Sequence, residues 1–420
     1  MEISLPYGNG RLAFGVASER VAWVLEASER PGVSDVTEAL RQALANPIDS
    51  PPLADLARGV RGEVVILVDD GTRATPQSVL LPVVLDELNR AGIADERIVL
   101  LIALGTHRPM TVEEQRSHLG PEVLSRVRVE NLDAHNPAAF VDLGTTPTGV
   151  PIEVARRLCE AGLSLSVGNI VPHMYTGFSG GAKMVQPGAC SARTTARTHL
   201  MAAPLVHRIL GVAENPVRAE LDAIGRRARL GFIINTVLNR HRQVVGIVAG
   251  DMVAAHRKGV ALASEVYGVR VPEQPDIVVA GAHPADRDFW QGAKPLNTAA
   301  IAVRAGGEVI LVIAAPEGIA PDHPYLREAG SLPAAEVEEA VRKGTCPDEV
   351  AAAACIAYEL SRRKARVTFV SDGISADDAR CLAAGHAQTV EEALEGAFSR
   401  LGRRARVGIM PEAAELLPIL

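Results

Sequence analysis

The chain has 420 residues, of which 47% are hydrophobic and only 3% aromatic, and its formal net charge is −7. This length exceeds a single ordinary core, so two domains are expected. The mildly acidic balance argues against a dedicated nucleic-acid binder, and no apolar run reaches the roughly 20 residues that span a bilayer. Because the N-terminus lacks a secretory signal and the five cysteines are scattered, we expect a cytoplasmic protein without nucleic-acid or membrane partners.

The first elements predicted from the sequence are exposed strands, a helix and a buried strand. Residues 2–25 alternate apolar and polar positions in short pieces, which predicts two or three antiparallel strands. Residues 34–45 have helical spacing, with Ser34 as the expected N-cap. The apolar, β-branched run EVVILV at residues 63–68 is typical of a buried parallel strand.

Two successive strand ends carry polar side chains. The strand at 63–68 runs into DDGTR, with Asp70 and Arg73, and the strand at 97–103 runs into LGTHRP, with His107. Ligands of α/β sheets bind at the carboxyl ends of strands. A helix cap in a solvated turn would explain the acidic pair equally well, and a lone histidine at a strand end is more often structural. The three side chains together favour a functional site.

The densest run of chemistry-bearing residues is GNIVPHMYTGFSGGAKMVQPGACSARTTARTH, which follows another predicted strand. Gly180 and Gly181 can let backbone N–H groups approach an anion, and Lys183 can serve beside them as a charge or a nucleophile. His173 and His199 can carry protons or bind a metal. A phosphate-binding turn without covalent chemistry, and a solvated His199, are the alternative interpretations.

Five further segments before, within and after this run have a predicted secondary structure. Residues 139–154 predict a hairpin, and residues 190–203 predict a helix that carries His199. Residues 231–237 and 244–249 predict a pair of strands, and a predicted helix from about 251 to 266 closes the first domain.

A proline-punctuated link, PEQP, separates two expected domains. The first covers residues 1–270 and carries the glycine–lysine–histidine run; the second covers residues 271–420. Strands alternate with helices in both, so the expected fold class is α/β, two α/β domains with largely parallel sheets flanked by helices. The strand at 276–282 leads into FWQGAK at 289–294, which we expect to face the first domain across a cleft that holds the active site.

Together these motifs resemble those of the lactate racemase family, nickel-dependent racemases and epimerases of 2-hydroxy acids. The resemblance covers essentially the whole chain, through LPYG, DDGTR, LGTHRPMT, PHMYTGFSGGAKMVQPG, TTARTH and WQGAK. It implies a nickel pincer nucleotide, a pyridinium mononucleotide whose ring carbon and two sulfur atoms bind nickel. It also implies a small 2-hydroxy acid as substrate and dedicated cofactor-synthesis enzymes as partners.

The resemblance also implies residue roles. Lys183 matches the lysine that forms a thioamide bond to the cofactor, and His199 matches the histidine that completes the nickel coordination. His107 and His173 match the paired acid–base histidines. The expected binding residues are Arg73, Gln291 and Lys294 for the substrate, and Asp70, Thr72, Gly180, Gly181 and Trp290 for the cofactor. Trp290 departs from the family, which often has tyrosine there, so its role stays open, as does that of His283.

The implied chemistry agrees with the residue types. Inverting the C2 carbon of a 2-hydroxy acid is easiest when hydride leaves as the hydroxyl loses its proton. A neutral histidine titrates in the right range to take that proton, and a fixed arginine or lysine orients the carboxylate. The expected enzyme is therefore an isomerase, a 2-hydroxyacid racemase or epimerase.

Three other functions remain open from the sequence. An NAD-dependent hydroxyacid dehydrogenase would use similar residues, but no strand leads into G-x-G-x-x-G. A zinc hydrolase could use His107, His173 and His199, although they lack the spacing of a short metal motif. A non-catalytic nickel or nucleotide carrier is the third alternative.

Overall fold

The structure, a computed structural model, describes residues 1–420. Its strands are β1 (Glu2–Tyr7), β2 (Gly10–Gly15), β3 (Val21–Val24), β4 (Val64–Val68), β5 (Ile98–Ile102), β6 (Arg128–Asn131), β7 (Phe140–Thr145), β8 (Pro151–Ala155), β9 (Leu163–Asn169), β10 (Pro172–His173), β11 (Gly177–Phe178), β12 (Phe232–Leu238), β13 (Val244–Gly250), β14 (Gly268–Arg270), β15 (Ile277–Gly281), β16 (Gly307–Val312), β17 (Ala365–Val370), β18 (Gly385–Ala387), β19 (Val407–Met410) and β20 (Leu417–Ile419).

Sixteen α-helices accompany these strands. They are α1 (Val36–Ala45), α2 (Leu53–Ala57), α3 (Gln77–Arg90), α4 (Val112–Leu119), α5 (Pro121–Arg126), α6 (Arg156–Glu160), α7 (Ala192–Ala202), α8 (Val206–Ile209), α9 (Pro216–Arg227), α10 (Ala254–Tyr267), α11 (Phe289–Ala302), α12 (Tyr325–Ala329), α13 (Ala334–Arg342), α14 (Glu349–Lys364), α15 (Ala376–Cys381) and α16 (Val390–Leu401). None of them combines the length and the apolar character that a membrane crossing requires.

The first sheet has six strands in the order β13-β12-β9-β4-β5-β6, and only the β12–β13 pair is antiparallel. Every residue of β4 and β5 is buried, because helices cover both faces. Successive side chains of β4 enter different cores: Ile66 packs with α3 on one face, and Leu67 packs with α9 on the other. The central strands therefore present their carboxyl ends along one edge of the sheet.

The second sheet also has six strands, in the order β18-β17-β16-β15-β19-β3, and all of them are parallel. Its central strand β15 again divides its side chains between two cores, with Val278 on one face and Val279 on the other. Two mostly parallel sheets flanked by helices confirm the α/β fold class that the sequence predicts.

The N-terminal segment packs with the second sheet, although it precedes the first one in the chain. β1 and β2 form the expected antiparallel hairpin, but Leu5 and Phe14 pack against Ile277 and Val279 of β15. β3 pairs in parallel with β19, so the prediction of a third antiparallel strand was wrong. The division into residues 1–270 and 271–420 stays a prediction, and β1–β3 pack across it.

Local predictions elsewhere agree with the structure, apart from one cap. β7 pairs with β8 as a hairpin, and β12 pairs with β13. The helix predicted over 190–203 is α7, whose N-cap Ser191 accepts a hydrogen bond from the backbone N–H of Thr194. The N-cap of α1 is Asp35 rather than Ser34, because the Asp35 carboxylate accepts from the backbone N–H of Glu38.

Candidate active site

A cavity of about 1060 Å³ is lined by residues from both halves of the chain. An outer cavity of about 1670 Å³ adjoins it and shares several of its lining residues. The inner cavity brings together most of the residues that the sequence singles out: Asp70, Arg73, His107, His173, Gly180, Lys183, His199, Trp290, Gln291 and Lys294. Thr72 lines only the outer cavity, and Gly181 lines neither.

His107 lies between two hydrogen-bond partners from different parts of the chain. Its Nδ1 is 2.6 Å from Oδ2 of Asp70, and its Nε2 is 3.1 Å from Nε2 of Gln291. The Gln291 Oε1 accepts from the Lys294 ammonium, so the Gln291 amide must donate to His107. His107 therefore carries its proton on Nδ1, facing Asp70, and presents the Nε2 lone pair towards the second half of the chain.

The charge of Asp70 reinforces this arrangement. Burial raises the pKa of the Asp70 carboxyl, but the His107 imidazole and the Arg73 guanidinium outweigh burial and hold that pKa well below its usual value. Thr72 donates to the other Asp70 oxygen, Oδ1, through its backbone N–H at 2.9 Å and through its hydroxyl. The carboxylate is therefore ionised and fixed, as an orienting partner of a general base requires.

His173 occupies a more positive environment than His107. It is 6% exposed, in the short strand β10, and its Nδ1 accepts from the backbone N–H of Tyr175 at 3.3 Å. Burial lowers the pKa of His173 well below its ordinary value, and Lys183 and Lys294 lower it further. Burial also lowers the pKa of His107, although Asp70 opposes that shift. Both imidazoles are therefore neutral at neutral pH.

Three basic side chains line the same cavity, and two of them form no side-chain hydrogen bond. Arg73 and Lys183 form no ion pair and no side-chain hydrogen bond, whereas Lys294 donates to Gln291. Burial lowers the pKa of Lys183 well below its usual value, and Arg73 and Arg218 lower it further. Burial has the same effect on the pKa of Lys294, with help from Arg73 and Lys183. Arg73 suits an anion in this cavity, while burial favours the neutral, nucleophilic amine at Lys183.

His199 offers one nitrogen to the cavity because a carbonyl occupies the other. Its Nδ1 is 2.9 Å from the backbone oxygen of Thr195, one turn earlier in α7, and a carbonyl can only accept. The proton therefore lies on Nδ1 and the lone pair on Nε2. Burial lowers the pKa of His199 to about 3, with Lys183 adding to the shift, so the lone pair is free for a metal. Tyr175 packs against the imidazole, with ring centroids 4.7 Å apart.

Trp290 forms an aromatic wall of the cavity, which the sequence left without a role. Its indole stacks on the imidazole of His323, with centroids 4.1 Å apart and an angle of 17°. Nδ1 of the buried His323 is 2.7 Å from Oδ2 of Asp348, which also caps α14. Neither residue was singled out from the sequence, because a histidine in a proline-rich loop and an aspartate before a helix are ordinary features. His283, by contrast, lines only the outer cavity.

The three histidines do not form a metal site by themselves. No group of three or more His, Cys, Asp or Glu side chains is arranged to hold a metal ion in this structure. A zinc hydrolase uses three protein ligands, so this arrangement does not favour that alternative. His199 instead offers a single nitrogen donor, which suits a metal whose other ligands come from a bound organic group.

Comparison with known proteins gives matches along most of the chain. Residues 7–207 match the model of the lactate racemase N-terminal domain, and residues 271–417 match that of the lactate racemase C-terminal domain. A lactate racemase of Lactiplantibacillus plantarum is 30% identical over 421 residues, covering 98% of each chain. One from Thermoanaerobacterium thermosaccharolyticum is 28% identical, covering 99% of this chain and 98% of the relative.

Solved structures also superpose on this chain over most or all of its length. The lactate racemase apoprotein from Thermoanaerobacterium thermosaccharolyticum superposes with a TM-score of 0.88 at 27% identity, covering all of both chains. A protein from Thermotoga maritima superposes with a TM-score of 0.74 at 22% identity, covering 93% of this chain and all of that one, which shows the shared fold. The named relatives are isomerases, and the chain belongs to the lactate racemase family.

Proposed function

We propose that this protein interconverts the enantiomers of a small 2-hydroxy acid, lactate or a related acid, with a nickel pincer nucleotide attached to Lys183. The observation that carries the proposal is the convergence of two neutral histidines, Arg73 and two lysines in one cavity. Neutral imidazoles suit proton transfer, and the Arg73 guanidinium suits a carboxylate. The racemase names of the full-length relatives agree with this chemistry.

The residues present fit the proposed cofactor. Lys183 projects into the cavity without a partner, and its lowered pKa favours the neutral amine that a covalent bond to a carbonyl-type carbon requires. His199 offers one nitrogen, so ring carbon and sulfur donors of the cofactor would complete the nickel coordination. Trp290 is a flat wall against which a pyridinium ring could stack. When bound, this group would supply the acceptor for the hydrogen at C2 and return it to either face.

The protein's own residues then hold the substrate and move its hydroxyl proton. Arg73 and Lys294 would bind the carboxylate, since both line the cavity beside the histidines. For one enantiomer, Nε2 of His107 takes the hydroxyl proton, and Asp70 stabilises the imidazolium that forms. For the other enantiomer His173 is the base. If the keto acid formed in the first step rotates before the hydrogen returns to C2, the second histidine can protonate its oxygen, so racemisation would need both histidines.

The alternative of a non-catalytic nickel or nucleotide carrier has weaker support. A carrier needs the attachment lysine and the metal ligand, but it does not need a carboxylate-oriented histidine. Binding and carrying nickel or a nucleotide would not require the hydrogen bonds that link Asp70, His107 and Gln291. A dehydrogenase would need a dinucleotide fingerprint, which the strand ends of this sequence lack.

An activity screen tests the proposed function directly. The protein is produced together with cofactor-synthesis enzymes and incubated with enantiopure 2-hydroxy acids of increasing chain length, and the products are separated by chiral chromatography. We expect at least one acid to reach an equal mixture of enantiomers from either side, without added NAD. Lys343→Ala, a substitution at an exposed lysine, is the matched control and should retain activity. Failure of every acid with protein that carries nickel would leave the carrier function as the better explanation.

A further inference from the structure

Three buried polar side chains surround the glycine turn before Lys183 and have no place in the chemistry described so far. They are Arg218 of α9, Asn235 of β12 and His256 of α10, and each is at most 1% exposed. Burying such groups is costly unless they are hydrogen-bonded, and a buried guanidinium usually faces a carboxylate. Arg218 forms no ion pair within 4 Å, because Asp222 is paired with Arg257 instead.

All three side chains bond to the main chain of the same turn. The Arg218 guanidinium donates to the carbonyl oxygens of Phe178 and Gly180, the latter at 3.2 Å. The Asn235 Oδ1 accepts from the backbone N–H of Gly181 at 2.9 Å, and Nε2 of His256 is 2.9 Å from the Ser179 carbonyl oxygen. Three different elements therefore hold consecutive peptide groups immediately before the lysine.

The glycines of the turn fit closely against the same side chains. Gly180 and Gly181 have φ angles of 74° and 57°, in the left-handed region. A Cβ at Gly180 would lie 2.8 Å from Oδ1 of Asn235, and one at Gly181 would lie 2.9 Å from Cδ2 of His256. The glycines therefore let the polar side chains reach the backbone, rather than leaving room for a ligand at this point.

The tautomer of His256 is also fixed by its neighbours. Nη1 of Arg257 donates to Nδ1 of His256 at 3.0 Å, so the proton of His256 lies on Nε2 and is donated to Ser179. Burial lowers the pKa of His256 well below its ordinary value, and the Arg218 charge adds to the shift, so the ring stays neutral. Its donor role is therefore the same at neutral pH and above.

We propose that Arg218, Asn235 and His256 are positioning residues, which hold the Phe178–Gly181 turn so that the Lys183 amine stands partly buried in the cavity, ready for covalent attachment. The inference rests on the proposed function only in treating Lys183 as the attachment residue. Besides burial, the charges of Arg73 and Arg218 lower the pKa of the Lys183 amine, and those of Asp70 and Asp69 raise it. Lys183 in turn lowers the pKa values of Lys294, His173 and His199. Loosening the turn would admit water to the amine, and removing Arg218 would also remove a positive charge. Both changes favour the protonated, unreactive ammonium.

The reactivity of Lys183 in the full-length, cofactor-free protein provides the test. Short pulses of potassium cyanate over a range of pH carbamylate unprotonated amines. Peptide mass spectrometry then gives the extent of carbamylation of Lys183 and, as an internal reference in the same sample, of the exposed Lys343. In the wild-type protein we expect Lys183 to reach half its maximal rate at a lower pH than Lys343. Arg218→Met should move that midpoint upwards by about one pH unit, a tenfold loss of reactive amine below it. Arg218→Lys should recover part of the shift.

Two further variants keep the test decisive. Arg226→Met removes an exposed arginine from the same helix and should leave the midpoint unchanged. If Arg218→Met does not fold, the pH midpoint of Lys183 carbamylation is measured in His256→Leu and in His256→Gln, which keeps a side-chain donor. Only the leucine variant should then shift the midpoint. An unchanged midpoint in a variant with a cooperative melting transition would overturn the proposal, as would an equal shift in Arg226→Met. Absence of a Lys183 adduct from active protein would overturn the proposed function but leave this inference standing.

Discussion

The two partners of His107 decide which of its nitrogens can act as a base. The Asp70 carboxylate accepts a hydrogen bond from Nδ1–H at 2.6 Å, and the Gln291 amide donates a hydrogen bond to Nε2 at 3.1 Å. The Nε2 lone pair is thus directed towards residues of the second half of the chain. A substrate hydroxyl that displaces the Gln291 amide would meet this lone pair, while Asp70 stabilises the imidazolium that results.

Asp70→Asn is therefore expected to impair catalysis more than binding. The amide removes the negative charge and can turn its N–H₂ group towards Nδ1, which reverses the tautomer of His107. We expect kcat to fall by about 10² to 10⁴, the usual contribution of a general base, with KM changed by less than about threefold. Initial rates with each enantiomer, measured at equal cofactor loading, check this.

The control for this substitution is Asp377→Asn, at an exposed aspartate in α15 that pairs only with Arg380. It should leave both kinetic constants unchanged. If Asp70→Asn retained more than half of the wild-type kcat, the carboxylate would have no role in orienting the base.

At the scale of elements, the glycine turn before Lys183 combines unusual backbone angles with close packing. Gly180 has a φ of 74°, and a Cβ there would lie 2.8 Å from Asn235 Oδ1 and 2.9 Å from Ile170 Cγ1. Gly344 has a similar φ of 69°, but nothing lies within 4 Å of its Cβ position. The two glycines therefore separate the cost of the backbone angle from the cost of overpacking.

Alanine at each position measures the two costs. Gly344→Ala should lower the free energy of unfolding by about 1 to 2 kcal/mol, the penalty of a left-handed conformation. Gly180→Ala should lower it by about 1 to 3 kcal/mol more, because the added methyl group must displace buried atoms. Urea unfolding of both cofactor-free variants gives the comparison. Equal losses would mean that the turn has room for a side chain.

The contact between α8 and α14 predicts a pH dependence of stability. Nε2 of His207 in α8 lies 3.2 Å from the hydroxyl of Ser361 in α14. Burial lowers the pKa of His207 from 6.5 to about 4, and Lys364 adds to the shift. Between these two values the unfolded chain binds a proton that the folded chain does not, so the stability contributed by the neutral ring is lost as the pH falls from 6.5 towards 4.

His207→Gln should therefore flatten the fall in stability over this range, by up to about 1.4 kcal/mol per pH unit. Urea midpoints at several pH values, compared with those of the wild-type protein, check the slope. The exposed His135→Gln serves as the control and should reproduce the wild-type slope. An unchanged slope in His207→Gln would show that other groups titrate in its place.

The sequence predicted those parts of the site that follow directly from strand ends. β4 and β5 are continuous buried runs, so the positions of Asp70, Arg73 and His107 at one sheet edge followed from chain order. The partner of a short strand does not follow from local pattern, and β3 pairs with β19 almost four hundred residues later. Arg218 was not predicted either, since an arginine in an amphipathic helix ordinarily faces solvent.

At the scale of the whole molecule, the two halves of the chain are joined across the cavity by Gln291 of α11. Gln291 bonds to His107 in the first half and accepts from Lys294. Arg108–Glu317 at 3.3 Å and Arg242–Glu415 at 2.7 Å also join the halves beside the outer cavity. Substrate-binding residues on α11 would thus complete the site when the halves are closed.

Lys294→Ala is expected to weaken use of the substrate without preventing cofactor attachment. The loss of one charge-assisted hydrogen bond to a carboxylate costs about 1.5 to 3 kcal/mol, so kcat/KM should fall roughly 10- to 100-fold. Nickel content and the mass of the Lys183 peptide should match those of the wild-type protein. Loss of nickel from this variant would instead assign Lys294 to cofactor binding. Lys343→Ala, at an exposed lysine that lines neither cavity, controls for the loss of charge.

The most direct measurement joins the covalent state of Lys183 to stereochemical activity in one sample. Protein produced with the cofactor-synthesis enzymes is divided: one part is incubated with enantiopure L- or D-lactate and with related 2-hydroxy acids, and the other is digested for peptide mass spectrometry. The account predicts that an active acid approaches an equal mixture from both enantiomers, that the Lys183 peptide carries the cofactor mass, and that Lys183→Ala has neither property. An unmodified Lys183 peptide from fully active protein would contradict it.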